Sequence, residues 1–244
     1  MDLSAALTSL LDAKSVETLF SAYEKALKSV GYDRVLFALL TDHPQLGLSA
    51  THGVLKNYPD DWVAHYLEQG YAHIDPVRRL AAQQHLPFRW ESITDHLPLS
   101  PLQQKMFAEA EEAQLHQGLG IPLSGLGMAK AGVGLARSVR GAPLDVQTLM
   151  NIQVLSMQFY ACYWGFYDHD RAPVTDASRR LSVRELDILH WLALGSTKAE
   201  IADKLFISCH TVDYHVRHIL HKLNARNITS AVYFAVSRGL LIPG

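Results

Sequence analysis

Residues 181–223 read LSVRELDILHWLALGSTKAEIADKLFISCHTVDYHVRHILHKL, and three helices can be read out of them from hydrogen-bonding chemistry alone. Ser182 has Glu185 three residues on, and Thr197 has Glu200. Each pair is a capping box, in which side chain and backbone satisfy each other's orphan donors at a helix start. Ser208 is placed to cap a third helix and Asn227, just beyond the stretch, a fourth. Gly195 separates the first two helices, and Phe206-Ile207 makes the tight turn before the third. Short helices joined by such turns are the helix-turn-helix layout. Leu189, Leu192, Ile201, Ala202, Leu205, Val212, Val216, Ile219 and Leu223 supply its small core.

On the third helix Val212, Val216 and Ile219 face inward, so His210, Asp213, Tyr214, Arg217 and His221 project outward at i, i+3, i+4 spacing. Arg217 has the fork to donate to guanine O6 and N7, and Asp213 can accept from cytosine N4. Thr211, His215 and Lys222 are expected on phosphates, which position without specifying. A charged helix face is by itself equally a solvated surface. The charge distribution tips the balance toward double-stranded DNA. The formal net charge of -2 averages a front of net -5 over residues 1–174 and a tail of net +3 over 175–244. The tail alone suits a polyanion.

This stretch resembles the LuxR-type helix-turn-helix in register, through Leu181 to Trp191, Gly195 to Ala202, Ile207-Ser208, Thr211-Val212, His215 and Lys222-Leu223. The glutamate, leucine and glycine that the family keeps fall on Glu185, Leu189 and Gly195. A last helix, from about Asn227 to Arg238, presents Ile228, Ala231, Val232 and Ala235 on one stripe. The resemblance implies that this helix pairs two DNA-binding domains in a homodimer; packing within its own domain is the other reading.

Upstream, residues 3–30 carry helix-period leucines closed by Gly31, and Val35–Leu40 is a short apolar run that reads as a buried strand. Leu48–His52 is expected as its antiparallel neighbour across a Pro44/Gly47 turn. Pro59 opens a helix holding Trp62 and Tyr66, and residues 101–116 form another. Strands at Gly118–Leu123 and Ala131–Ser138 flank a glycine-rich turn, and Pro143 opens a long helix to about Tyr167. The pattern is α+β. At 244 residues the chain suits two domains: a sensor at 1–167, a polar linker at 168–180 and a reader at 181–244. Two cysteines, Cys162 and Cys209, suggest neither a zinc site nor a disulfide framework. Cys209 reads as a small filler, with a redox role the alternative. No signal peptide and no apolar run of membrane-spanning length is seen, so no membrane role is expected and the cytoplasm is the expected compartment.

A phosphorylated receiver domain would need alternating strands and helices with a paired acidic cluster, which this front half lacks. It holds instead Tyr58, Trp62 and Tyr66, then Asp75-Pro76, Trp90 and Gly118. Aromatics at helical spacing are commonly plain core. Asp75 leans the other way, because a carboxylate between Ile74 and Pro76 is costly to bury unless donors meet it. Aromatic walls around a few polar groups are the usual design of a small-molecule site.

The same positions are similar, residue for residue, to the autoinducer-binding domain of acyl-homoserine-lactone receptors of the LuxR family. The resemblance implies an N-terminal α-β-α sandwich with an antiparallel sheet, followed by an all-α four-helix reader. It implies that the Trp62 indole donates to a lactone carbonyl, that Asp75 accepts from the ligand amide, and that the Tyr58 hydroxyl donates to the amide carbonyl. Tyr66 and Trp90 would wall the pocket, with Pro76 and Gly118 shaping the backbone. Many relatives carry Ser or Thr near the place of Gly134, which puts a preference for 3-oxo ligands in doubt, with Ser124 and Ser138 the alternative sources of a hydroxyl. Gly132 and Gly134 either open room for a bulky, branched or aryl acyl group or ease strand packing. The function implied is an acyl-homoserine-lactone-responsive regulator of quorum sensing, dimeric on an inverted-repeat operator, with RNA polymerase a further partner. No cofactor and no metal is implied. Catalysis by Asp75 with His73 or His65 finds no support in metal-binding or nucleophile-elbow motifs, and retention of Trp62 and Tyr66 weighs against a receptor for another hydrophobic signal.

Overall fold

Side-chain parity along one strand sorts the front of the molecule into layers. In the computed structural model, which describes residues 1–43, 46–95, 98–168 and 181–241, β1 (Arg34–Leu39) is buried on both faces. Val35, Phe37 and Leu39 enter one core and Leu36 and Ala38 the other, as a period of two requires. β2 (Thr51–Lys56), β3 (Phe88–Arg89), β4 (His116–Ser124) and β5 (Lys130–Arg137) complete an antiparallel sheet of order β2-β1-β5-β4-β3.

One face is covered by α1 (Leu3–Leu11), α2 (Val16–Lys28) and α6 (Val146–Asp168). Tyr23 stacks on Phe159 at 4.3 Å between ring centroids. Its hydroxyl donates to Ser156 Oγ at 2.6 Å, because the serine proton is committed to the Ile152 carbonyl. The other face carries α3 (Asp60–Glu68), α4 (Pro76–Gln83) and α5 (Pro101–Glu112), packed over a second core that includes Leu36, Ala38, Trp62, Tyr66 and Met106. Helices on both faces of an antiparallel sheet are the α-β-α sandwich expected.

Three local expectations need correcting. The helical stretch 3–30 is two helices, because Ser15 forms a capping box with Thr18 and restarts the helix. The partner of β1 begins at Thr51 rather than Leu48, which makes only an isolated bridge to His43; Pro44 of the expected turn lies outside the described residues. Pro143 does not open the long helix. Asp145 does, its carboxylate accepting from the Thr148 N–H at 2.8 Å.

The remaining helices form their own compact unit, α7 (Val183–Ala193), α8 (Lys198–Leu205), α9 (Cys209–Leu223) and α10 (Ile228–Ser237). Ser182, Thr197, Ser208 and Asn227 are the N-caps, each accepting from a backbone N–H three residues on. Gly195 takes φ +83°, a left-handed conformation that a side chain would strain, and so ends α7 cleanly. Residues 169–180 of the expected linker lie outside the described residues. No helix among the described residues is long and apolar enough to cross a membrane.

Candidate ligand pocket and nucleic-acid interface

Four glycines leave one face of the sheet without side chains, where neighbouring side chains pack instead. Leu119, Ile121 and Leu123 of β4 and Ala131, Val133 and Leu135 of β5 point into the core beneath α2 and α6. The alternate positions, Gly118, Gly120, Gly132 and Gly134, therefore leave the opposite face of both strands bare. Aromatic rings settle on that bare backbone. A Cβ at Gly118 would lie 1.9–2.3 Å from atoms of the Trp90 ring, and one at Gly120 2.2 Å from Phe88. A Cβ at Gly134 would lie 3.0 Å from the Tyr58 hydroxyl. Gly134 thus makes room for Tyr58 more than for a ligand. Gly132 would meet Ala81 and Leu40 at 3.3 Å, so it too serves close packing.

Between this floor and α3, α4 and α5 lies a cavity with an empty space of about 650 Å3, counting the part open to solvent. Tyr58, Trp62, Tyr66, Asp75, Trp90 and Gly134 all line it, so the structure brings the expected pocket residues together. Pro76 and Gly118 stand behind. Pro76 is the first residue of α4, where its missing N–H costs nothing. Tyr58 precedes α3 rather than sharing its stripe.

Asp75 is the N-cap of α4, and one carboxylate oxygen accepts from the Val77 N–H at 2.7 Å. The other accepts from the Tyr66 hydroxyl at 2.7 Å, so Tyr66 orients the carboxylate as well as walling the cavity. Burial pushes the Asp75 carboxyl above the usual carboxylate range, against the pull of those hydrogen bonds. Burial likewise pushes the Tyr58 hydroxyl well above the ordinary phenol range, and the Asp75 charge adds to this, so the group keeps its proton and can donate. Tyr58 Oη and Trp90 Nε1 are both buried without a protein hydrogen-bond partner among the described residues.

Two polar lining residues lie outside the sequence expectation, His52 on β2 and Arg78 on α4. The His52 ring lies parallel to Tyr66, 4.5 Å between centroids and 9° between planes. Arg78 Nη1 sits 3.0 Å from His52 Nδ1. Burial, and then the Arg78 charge, pull the His52 imidazole down to about 4, so it is neutral at physiological pH.

On α9, Tyr214 is half exposed, and Arg217, His210 and His221 are exposed as expected. Tyr214 packs against the His218 ring at 4.3 Å, with His215 alongside. Thr211 is partly buried, its hydroxyl 2.8 Å from Ser208 Oγ. Two residues are engaged elsewhere. Lys222 donates to Glu185 at 2.7 Å, and Glu185 is 4% exposed, so this lysine clamps α9 to α7 instead of reaching for a phosphate. Asp213 is paired with Lys198 of α8, which the sequence reading did not single out. Leu189 is fully buried. On α10, Ala231 and Ala235 are buried in the unit's own core with Ile228 and Val232 packed beside them, so that stripe faces inward. Tyr233, 54% exposed, is on its open face.

Comparison with known proteins agrees with this arrangement. Residues 15–163 match the autoinducer binding domain family, and residues 179–235 match the bacterial regulatory proteins of the luxR family. The chain is 30% identical to the transcriptional activator protein VanR of Vibrio anguillarum, across 88% of this chain and 87% of that one. It is 29% identical to the quorum sensing-dependent transcriptional regulator RpaR of Rhodopseudomonas palustris, across 91% and 88%. The crystal structure of Escherichia coli SdiA shares the fold with a TM-score of 0.76 at 23% identity, covering 98% of each chain.

Proposed function

The chain belongs to the LuxR family of autoinducer-binding transcription regulators, and from that premise we propose that its ligand is an N-acyl-homoserine lactone and that it acts as a homodimer on an inverted-repeat operator. It is a DNA-binding regulator of the quorum-sensing type and not an enzyme, as its domains and relatives are.

The observation that carries the lactone reading is the orphaned donor Tyr58 Oη in the cavity that also holds the Asp75 carboxylate. Buried polar groups left unmatched destabilise a fold, so a ligand that matches them gains what the empty fold forgoes. An acyl-homoserine lactone offers one amide N–H and two strong carbonyl acceptors. Asp75 accepts from the amide, the Tyr58 hydroxyl donates to the amide carbonyl and the Trp62 indole to the lactone carbonyl. Tyr66 and Trp90 close the walls.

Residues 1–167 then sense, 168–180 link and 181–244 read, in the cytoplasm. Homodimer formation is supported by an exposed apolar stripe on α6, Val146, Met150, Val154 and Met157, at helical spacing. Two recognition helices presented by a dimer reach half-sites about 34 Å apart, or a multiple of that. Arg217 and Tyr214 read bases, Thr211 and His215 position the backbone, and RNA polymerase is the partner downstream.

The test is thermal unfolding of the full chain against a lactone panel, with mass spectrometry of any small molecule that co-purifies. At least one lactone should raise the unfolding temperature, and the paired change Tyr58→Phe with Asp75→Asn should abolish that rise. A panel without effect, or a double variant that responds like the parent, overturns the reading.

A further inference from the structure

Once a lactone headgroup is assigned to Tyr58, Trp62 and Asp75, the cavity still holds two polar side chains that the headgroup does not use. Most of the remaining wall is apolar, Leu36, Ala38, Leu40 and Met106 among it. His52 and Arg78 interrupt it. Their geometry fixes a protonation state. A guanidinium can only donate, so the His52 Nδ1 that lies 3.0 Å from Arg78 Nη1 is an acceptor. The proton of the neutral ring is therefore on Nε2, and the imidazole presents a fixed donor. A half-turn of the ring would keep its stack on Tyr66 but give up the bond from Arg78, which therefore holds the donor in place. The hydroxyl of that same Tyr66 is bonded to Asp75. His52 thus stands one tyrosine ring away from the carboxylate that takes the ligand amide, with Arg78 beside it.

We infer that His52 and Arg78 form an acyl-recognition subsite, and that the ligand's acyl group carries an oxygen acceptor, as hydroxyl, keto or phenolic oxygen, that meets their free N–H groups. This rests on the lactone reading above. A plain alkyl chain laid along this wall would strip water from several donors and return no hydrogen bond, which is the condition under which a site discriminates most strongly against an analogue lacking the polar group. A β-branched or aliphatic residue at position 52 would have served an alkyl chain. Histidine held in one tautomer by arginine serves an acceptor.

The experiment compares, on the full chain, dissociation constants for homoserine lactones whose acyl groups match in length and differ only in oxygen: straight alkyl, 3-oxo, 3-hydroxy, and an aryl group with and without ring hydroxyl. At least one oxygenated member should bind tenfold or more tighter than its oxygen-free counterpart. The readout on variants is the ratio of the two constants, which cancels any loss common to both. His52→Phe, which keeps a ring to stack on Tyr66, and Arg78→Met should each bring the ratio close to one. If every oxygenated ligand binds no tighter than its counterpart, or the ratio survives both substitutions, the subsite is refuted while the lactone reading stands. If no lactone binds at all, the lactone reading fails and the subsite falls with it.

Discussion

Trp90 can lie across β4 only because residue 118 has no side chain. In Gly118→Ala the added methyl would collide with the indole, at distances no real Cβ tolerates, and the indole must swing into the cavity. Overpacking of this kind costs about 1–3 kcal/mol, read as a lower urea midpoint, together with weaker lactone binding. Gly165→Ala on α6, where a Cβ meets nothing within 4 Å, is the control and should be neutral or stabilising by about 0.5–1 kcal/mol, the usual gain at a helix interior. Equal effects at the two sites would refute the packing argument. Tyr58 gives the opposite signature. Its hydroxyl is buried and unpartnered, so Tyr58→Phe removes a desolvated polar group that the unliganded fold does not use. The unliganded variant should be as stable as the parent or more so, while lactone binding weakens about tenfold, the 1.4 kcal/mol of one neutral hydrogen bond. Loss of stability without ligand would mean that the hydroxyl already has a partner.

At the scale of elements, the clasp between α7 and α9 rests on one ion pair. Burial pushes the Glu185 carboxyl up, but the hydrogen bonds from Lys222 and from the Ser182 N–H outweigh it and hold the group below the usual carboxylate range. A carboxyl depressed on folding adds stability above its unfolded value, about 4.3, and surrenders it as pH falls through the lower folded value. Glu185→Gln should therefore cost about 2 kcal/mol at pH 7, in line with hydrogen bonds to charged groups. The deficit should shrink below about pH 4, followed by urea unfolding monitored at Trp191; a deficit constant with pH would remove the charge from the explanation. This clasp also marks the limit of what the residues announce on their own. The four caps Ser182, Thr197, Ser208 and Asn227 were legible because each bonds within three residues. The pocket aromatics were legible through their spacing and their likeness to a known family. Lys222 was read as a phosphate contact because its partner lies 37 residues away, and the same is true of His52, 26 residues from Arg78. Such pairs exist only after tertiary packing, and no local pattern encodes them. The start of β2 was misplaced for a related reason, since the register against β1 decides it.

At the scale of the molecule, the sensing and reading units have separate hydrophobic cores, one pair of cores around the sheet and one inside the four-helix unit. The pocket lies wholly within the first unit, and its lining comes from α3, α4, α5, the strands around them and the segments that join these elements. A ligand that binds only folded protein stabilises by RT ln(1+[L]/Kd), about 2.7 kcal/mol at a hundredfold excess over Kd. Spread over a domain of this size, that is roughly 5–10 °C of unfolding temperature. Because the energy is delivered to one core, it should appear in one unit. Hydrogen exchange on the full chain should slow with lactone at amides of β1 and β5 and of the α4 start at Val77, whose N–H is bonded to Asp75. Amides of α8 and α9 should keep their unliganded rates when DNA is absent. Slowing of equal size in both units would mean that ligand binding is coupled directly into the reader's own fold, and the picture of a sensor that acts by stabilising itself and its dimer would have to be replaced.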